Sequence, residues 1–93
     1  MTGFDERYEA LRARFVARCS EDLPVLESAL AGGCDAETLR RTVHRLSGAA
    51  GTFGYAELSR LAGVVDDRLV EETQPSKAEL TALVETVRVL TRA

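Results

Sequence analysis

Hydrophobic residues recur every three or four positions over most of the chain, a spacing that places them on one face of an α-helix. The first such stretch runs from about Phe4 to Ala31. Thr2 and Asp5 have the spacing of a capping box at its start, and Gly32-Gly33 can end it because glycine accepts left-handed backbone angles. Pro24 should interrupt an interior turn, but the spacing continues across it, so we predict one long kinked helix. Its expected inward residues are Phe4, Tyr8, Leu11, Phe15, Cys19, Leu23, Leu26 and Leu30.

Three further helices are predicted from the same spacing. The second runs from about Ala36 to Phe53, with Asp35 as its N-cap. The third covers about Ala56 to Glu72, and the fourth begins at a capping box formed by Ser76 and Glu79. Their expected inward residues are Leu39, Val43, Leu46, Ala50 and Phe53 in the second, Leu58, Leu61, Val65 and Leu69 in the third, and Leu80, Leu83, Val87 and Leu90 in the fourth.

The connections between these helices are short, which makes neighbouring helices antiparallel. The sequence therefore predicts an all-α fold, an up-down antiparallel four-helix bundle. A chain of 93 residues is long enough for one domain only, so residues 1–93 are expected to form a single domain. A domain of this size buries only about 60–65% of the surface of its unfolded chain, which argues against a deep catalytic cleft.

Composition and charge exclude several classes of function. The net charge is −3, which argues against a nucleic-acid binder. No apolar run approaches the ~20 residues that span a membrane, and the N-terminus lacks the pattern of a signal peptide, so we expect a cytoplasmic protein. Cys19 and Cys34 are expected to be free thiols. With these two and a single histidine, no metal site is expected.

That histidine, His44, lies on the polar side of the second helix. Glycine inside a helix costs about 0.5–1 kcal/mol relative to alanine, yet Gly48 and Gly51 flank it on a face where no helix of the same chain is expected to approach closely. Their absence of side chains clears one flank of the imidazole, which indicates access for a partner protein. The alternative is an ordinary surface histidine. The positions expected around it on the helix are Glu37, Arg40, Arg41, Ser47, Gly48 and Gly51.

Two arginines lie one turn before the histidine. Arg40 and Arg41 could attract a phosphoryl group or an acidic partner surface. The alternative is a solvated helix face on which they pair with Glu37.

The segment His44-Arg45-Leu46-Ser47-Gly48, followed by Gly54, resembles the signature of histidine-containing phosphotransfer (HPt) domains. That signature is His, any residue, Leu, usually Lys, Gly, and a second Gly after five intervening residues. The segment from Thr42 to Leu61 matches best, and chain length, helix number and the position of His44 agree with the family over nearly the whole chain.

The resemblance implies a phosphocarrier rather than an enzyme with its own cofactor. His44 would be the phosphoacceptor, through Nε2, and its partners would be receiver domains of response regulators and in some systems a sensor histidine kinase. Mg²⁺ is expected on the partner receiver, and no cofactor on this chain. Arg40, Arg41, Gly48 and Gly51 are the expected docking residues.

The sequence departs from the family at Ser47, which stands where a lysine usually helps to neutralise the phosphoryl group. Either Arg40 or Arg41 then supplies the charge, or the phosphohistidine is less stabilised. The alternative function is an HPt-like bundle that docks a receiver or kinase without carrying phosphoryl. A helical dimer module would need an exposed apolar stripe that the pattern does not show, so we expect a monomer. A hydrolase has no identifiable nucleophile and base.

Overall fold

The computed structural model describes residues 3–92, which form four α-helices. They are α1 (Gly3–Leu30), α2 (Ala36–Thr52), α3 (Ala56–Val70) and α4 (Lys77–Thr91). Each helix packs against the next, and α4 packs back against α1. Connections of five, three and six residues join them, so the predicted antiparallel four-helix bundle is confirmed.

The first helix continues through Pro24 without a break, as the uninterrupted spacing of its apolar residues predicted. It ends one residue earlier than expected, and Gly32 has a φ of +85° just beyond it, a conformation that favours glycine. Thr2, predicted to cap this helix, and the side chain of Phe4 lie outside the described part of the chain.

The N-terminal part of α1 is less covered than the sequence suggested. This helix has 28 residues, against 15 to 17 in the other three, so its first turns extend beyond the ends of its neighbours. Tyr8 is half-buried against Phe53, with the ring centroids 5.6 Å apart. Leu11, predicted to face inward, is 45% exposed. The prediction was wrong here because spacing identifies a helix face but not how far the neighbouring helices reach along it.

The second helix is fixed at both ends by contacts that its sequence encodes. The Asp35 side chain accepts a hydrogen bond from the Thr38 backbone N–H at 3.1 Å and from the Thr38 hydroxyl at 2.7 Å. The helix ends at Thr52, with Phe53 as its C-cap. Gly54 follows with a φ of +84°. These contacts fix the length of the helix that carries the histidine.

The boundaries of the last two helices differ only slightly from prediction. The third ends at Val70, two residues early, because Glu72 takes a φ of +59° that stops the helix. The capping box of α4 is confirmed, since the Ser76 hydroxyl accepts from the Glu79 N–H at 3.0 Å and the Ser76 N–H donates to the Glu79 carboxylate at 2.9 Å.

The core runs along the bundle axis and contains most of the predicted inward residues. Ala62 and Val84 are also fully enclosed, although the predicted stripes omitted them. Val70 and Val89 are exposed. The buried apolar residues are Phe15, Cys19, Leu26, Leu39, Val43, Leu46, Ala50, Leu58, Ala62, Val65, Leu80, Leu83, Val84 and Val87.

Three further properties concern residues 3–92 only. None of their helices is both long and apolar enough to span a bilayer. Cys19 and Cys34 are free thiols, and no cluster of three potential metal ligands occurs in this part of the chain.

Candidate functional site

His44 lies at the middle of α2 on its outer face, and its side chain is 71% exposed. This orientation follows from the amphipathic pattern, because the buried residues of α2 occupy the opposite side of the helix. Those residues are Leu39, Thr42, Val43, Leu46 and Ala50. The predicted exposure of the imidazole is confirmed.

The imidazole is held in one orientation by Asp66 on α3. His44 Nδ1 lies 2.9 Å from Asp66 Oδ2, and the Asp66 side chain is only 14% exposed. Because a carboxylate can only accept a hydrogen bond, Nδ1 carries the hydrogen and donates it. The lone pair of the neutral ring is then on Nε2. Asp66 was not among the residues predicted from the sequence.

The three arginines near His44 are in different environments. Arg40 Nε lies 4.0 Å from Asp66 Oδ1, an oxygen that has no hydrogen bond. Arg45 makes a two-pronged contact with the buried Asp22 of α1, at 2.7 and 3.2 Å.

Arg41 is exposed and has no ion pair within 4.0 Å in residues 3–92. Its charge still acts at longer range. Hydrogen bonds from Thr38, and more weakly the charge of Arg41, lower the pKa of Asp35. Arg41 is therefore the arginine beside His44 that keeps its guanidinium available to a ligand.

Ser47 faces α3. Its hydroxyl donates to the Ser59 carbonyl at 3.0 Å, and the Ser59 hydroxyl donates to the Ser47 carbonyl at 2.8 Å. This reciprocal pair engages the Ser47 hydroxyl in the contact between α2 and α3. The residue that replaces the usual lysine joins α2 to α3.

The two glycines near His44 have different roles. A Cβ atom at Gly48 would have nothing within 4 Å, which agrees with the predicted clearance beside the imidazole. A Cβ at Gly51 would lie 3.4 Å from the Ser59 hydroxyl, and one at Gly63 would lie 3.4 Å from the Ser47 hydroxyl. The expectation that no helix of the same chain approaches Gly51 is therefore wrong, because α3 packs closely there.

His44 therefore shares one surface with Asp66, Arg40, Arg41 and Gly48. Ser47 and Gly51 instead belong to the contact between α2 and α3. Its chemical capacity is that of an exposed nucleophilic nitrogen whose ring is oriented by a carboxylate, with a cation one turn away. Only a weak sequence signal marks Asp66, an acidic residue directly beside the buried Val65.

A comparison with models of protein families gives a match over most of the chain. The family model of the Hpt domain matches residues 10–90, which include all of α2 and α3 and most of α1 and α4. No curated protein sequence and no solved structure matches the chain significantly.

Proposed function

Since the chain belongs to the Hpt domain family, we propose that it carries a phosphoryl group on His44 between receiver-domain aspartates, or from a histidine kinase to a response regulator. Hpt domains serve two-component phosphorelays as phosphocarriers. The observation that carries the proposal for this chain is the contact of His44 with Asp66, which leaves Nε2 as the nucleophilic nitrogen of an exposed ring.

In the proposed transfer, the Nε2 lone pair attacks the phosphorus atom of an aspartyl phosphate on the partner. The new P–N bond forms as the P–O bond to the aspartyl carboxylate breaks, and that carboxylate leaves with the electron pair. The ring retains its Nδ1 hydrogen and becomes positively charged. The Asp66 carboxylate, 2.9 Å from Nδ1, stabilises this charge as it develops.

The charge on the transferring phosphoryl group also needs neutralisation, since such transfers depend on positioning and electrostatics. We assign this role on the present chain to Arg41, because Arg40 turns towards Asp66 and Arg45 is held by Asp22. The remaining charge, including Mg²⁺, is expected on the partner receiver, and no cofactor on this chain.

The proposal is tested by mixing the chain with a radiolabelled phosphorylated receiver domain. The wild type should acquire a label that is labile in acid and stable in alkali, as expected of a phosphoramidate. His44→Gln should acquire none. Asp66→Asn should accept the label about 10- to 100-fold more slowly, because a hydrogen bond to a charged group contributes about 1.5–3 kcal/mol.

Two results would contradict the proposal. Label that persists in His44→Gln would identify another acceptor. A wild-type chain that binds receivers but takes no label would instead be an interaction bundle. Circular dichroism of each variant provides the control. Helix content should not change, because His44 is exposed and Asp66→Asn keeps the size of a mostly covered side chain.

A further inference from the structure

We infer that two copies of this chain associate through the groove between α3 and α4, with α4 of each copy lying over α3 of the other. This surface faces away from His44, so the inference goes beyond the proposed function and does not depend on it. It departs from the monomer expected from the sequence, where the spacing of apolar residues indicated no stripe left over for a second copy.

The groove has a volume of about 460 Å³ and an apolar floor. Leu61, predicted to face inward, is only half-buried there, and Val89 is 64% exposed, more than Leu11 or Val70. The Thr86 hydroxyl in the groove already donates to a carbonyl of its own helix at 2.8 Å. The groove therefore offers apolar surface that a neighbouring helix would bury, and few polar groups for a small ligand.

The outer face of α4 has the spacing of a helix that packs against another helix. Ala78, Ala82, Glu85 and Val89 recur at intervals of four, three and four residues, as in the seam between two packed helices. The buried residues of α4 lie on its other side. The two alanines on this outer face leave room for a second helix to approach closely.

Charge favours a second copy as the occupant. Arg60 lies on the α3 side of the groove and Glu85 on the α4 side, and both are exposed. Glu85 takes part in no ion pair among residues 3–92. Arg60 contacts Glu57 of its own helix at 2.6 Å, but both side chains are more than 60% exposed, and such a surface pair contributes little. Arg60 can therefore turn towards another carboxylate.

A two-fold axis parallel to the helices makes these two charges complementary. Such an axis exchanges the two sides of the surface, so α3 of one copy lies opposite α4 of the other. Because both residues line one groove, each Arg60 then approaches the Glu85 of the other copy, and each Val89 covers the other apolar floor. Contact of α4 with α4 would instead oppose Glu85 to Glu85, which repel each other.

This dimer leaves both histidines accessible. Glu57 in the groove and Asp66, which contacts His44, are nine residues apart, so at about 100° per residue they lie on opposite sides of α3. A contact of two short helices from each copy is at the lower end of specific interfaces, about 1,200 Å² in total. We therefore expect weak association, with a Kd on the order of 10 µM.

The test is sedimentation velocity of the full chain from about 1 to about 500 µM, on both sides of the expected Kd. The wild type should shift from one chain of 10.1 kDa to twice that mass. Val89→Glu should weaken association at least tenfold, because it places a charge over the apolar floor. Val70→Glu is the matched control, since Val70 is an exposed valine at the end of α3 that does not line the groove.

A charge exchange tests the pairing between copies. Arg60→Glu and Glu85→Arg should each weaken association about tenfold or more, because the two-fold axis repeats each lost pair. The double variant should recover to within about threefold of the wild type, since each copy again faces an opposite charge. Transfer of label from a phosphorylated receiver to dilute Val89→Glu should keep the wild-type rate, because His44 lies on another face.

A wild-type chain that stays monomeric at the highest concentration would overturn the inference and leave the proposed function intact. So would equal association of Val89→Glu and Val70→Glu, or a double variant no better than the single ones. Slower transfer to dilute Val89→Glu would assign the groove to the receiver and also contradict the inference. Absence of label on the wild type, with a normal dimer, would overturn the proposed function alone.

Discussion

At the scale of single residues, two carboxylates determine what the arginines around His44 can do. Asp66 attracts Arg40 and receives the imidazole hydrogen, while Asp22 holds Arg45. Arg41 alone is left to face a ligand. A sequence that lacks the usual lysine can thus still present one positive charge near the proposed phosphoacceptor.

Arg41→Ala should therefore slow phosphotransfer more than Arg40→Ala does. We expect a loss of about tenfold or more for Arg41→Ala, since a charge-assisted hydrogen bond contributes about 1.5–3 kcal/mol. Arg40→Ala should slow transfer only a fewfold, because Arg40 is directed towards Asp66 rather than towards a ligand on His44. Initial transfer rates from a phosphorylated receiver measure both. Unchanged transfer rates in both variants would show that neither Arg40 nor Arg41 contributes to phosphotransfer.

Two substitutions of Gly48 should affect stability and phosphotransfer differently. Gly48→Ala should raise the free energy of unfolding by about 0.5–1 kcal/mol, because a Cβ there contacts nothing and alanine favours helix. Gly48→Gln should also stay folded but transfer poorly, because helical side chains point towards the N-terminus and this one would cover the turn of His44.

Urea titrations and transfer assays on the same two Gly48 variants check this prediction. A normal transfer rate in Gly48→Gln would show that the open space beside the ring has no role in docking. A loss of stability in Gly48→Ala would indicate a close contact that the helix surface does not have.

At the scale of helices, the contact between α1 and α2 includes an ion pair whose two side chains are buried to different extents. The Asp22 side chain is only 6% exposed, whereas the Arg45 side chain is 37% exposed. Removing the arginine leaves a buried carboxylate whose other cation, Arg18, is 3.8 Å away. Removing the aspartate leaves a guanidinium that can turn to water.

Arg45→Ala should therefore destabilise the bundle more than Asp22→Ala. We expect Arg45→Ala to lower the free energy of unfolding by about 2–3 kcal/mol. This is less than the 3–5 kcal/mol lost when a fully buried pair is broken, because Arg45 is partly solvated. Asp22→Ala should lower it by about 1 kcal/mol. Free energies of unfolding from urea titrations, completed as a double-mutant cycle, measure the difference. The reverse order would contradict the burial argument.

Local signals were sufficient to predict the helices. The caps at Asp35 and Ser76 depend on residues within one turn of each other, and the structure confirms both. The continuity of α1 across Pro24 followed from the spacing of its apolar residues. The end of α3 was predicted two residues too late, because the left-handed conformation occurs at Glu72 and not at a glycine, the residue that usually marks it in a sequence.

At the scale of the whole molecule, the residues that sequence reasoning missed or misplaced depend on how helices lie against one another. Asp66 lies 22 residues from His44, and only the rotation of α3 against α2 brings them together. The orientation of Ser47 and the exposure of Leu11 also depend on packing. The exposed histidine was predictable because the amphipathic face of a single helix determines it.

The two cysteines report on the integrity of the bundle as a whole. Cys19 is fully enclosed in the core, and burial raises the pKa of its thiol to about 11. At pH 8 roughly one Cys19 in a thousand would then be a thiolate, the form that reacts. Cys34 is only half-buried.

Iodoacetamide at pH 8 should therefore modify Cys34 first, and Cys19 only as the bundle unfolds. We expect the Cys19 adduct, followed by mass spectrometry in increasing urea, to appear together with the loss of helical circular dichroism. Measurement on a Cys34→Ser background removes the competing thiol. Rapid modification of Cys19 in the absence of urea would show that the core opens locally.

The reciprocal serine contact between α2 and α3 has a consequence for how this domain tolerates mutation. Because Ser47, Ser59, Gly51 and Gly63 keep the two helices close without long side chains, any bulkier substitution there would wedge the helices apart and withdraw Asp66 from the imidazole. Signalling defects would then arise from substitutions at positions that make no contact with the phosphoryl group. Related chains that differ at one of these positions would need a compensating substitution on the facing helix.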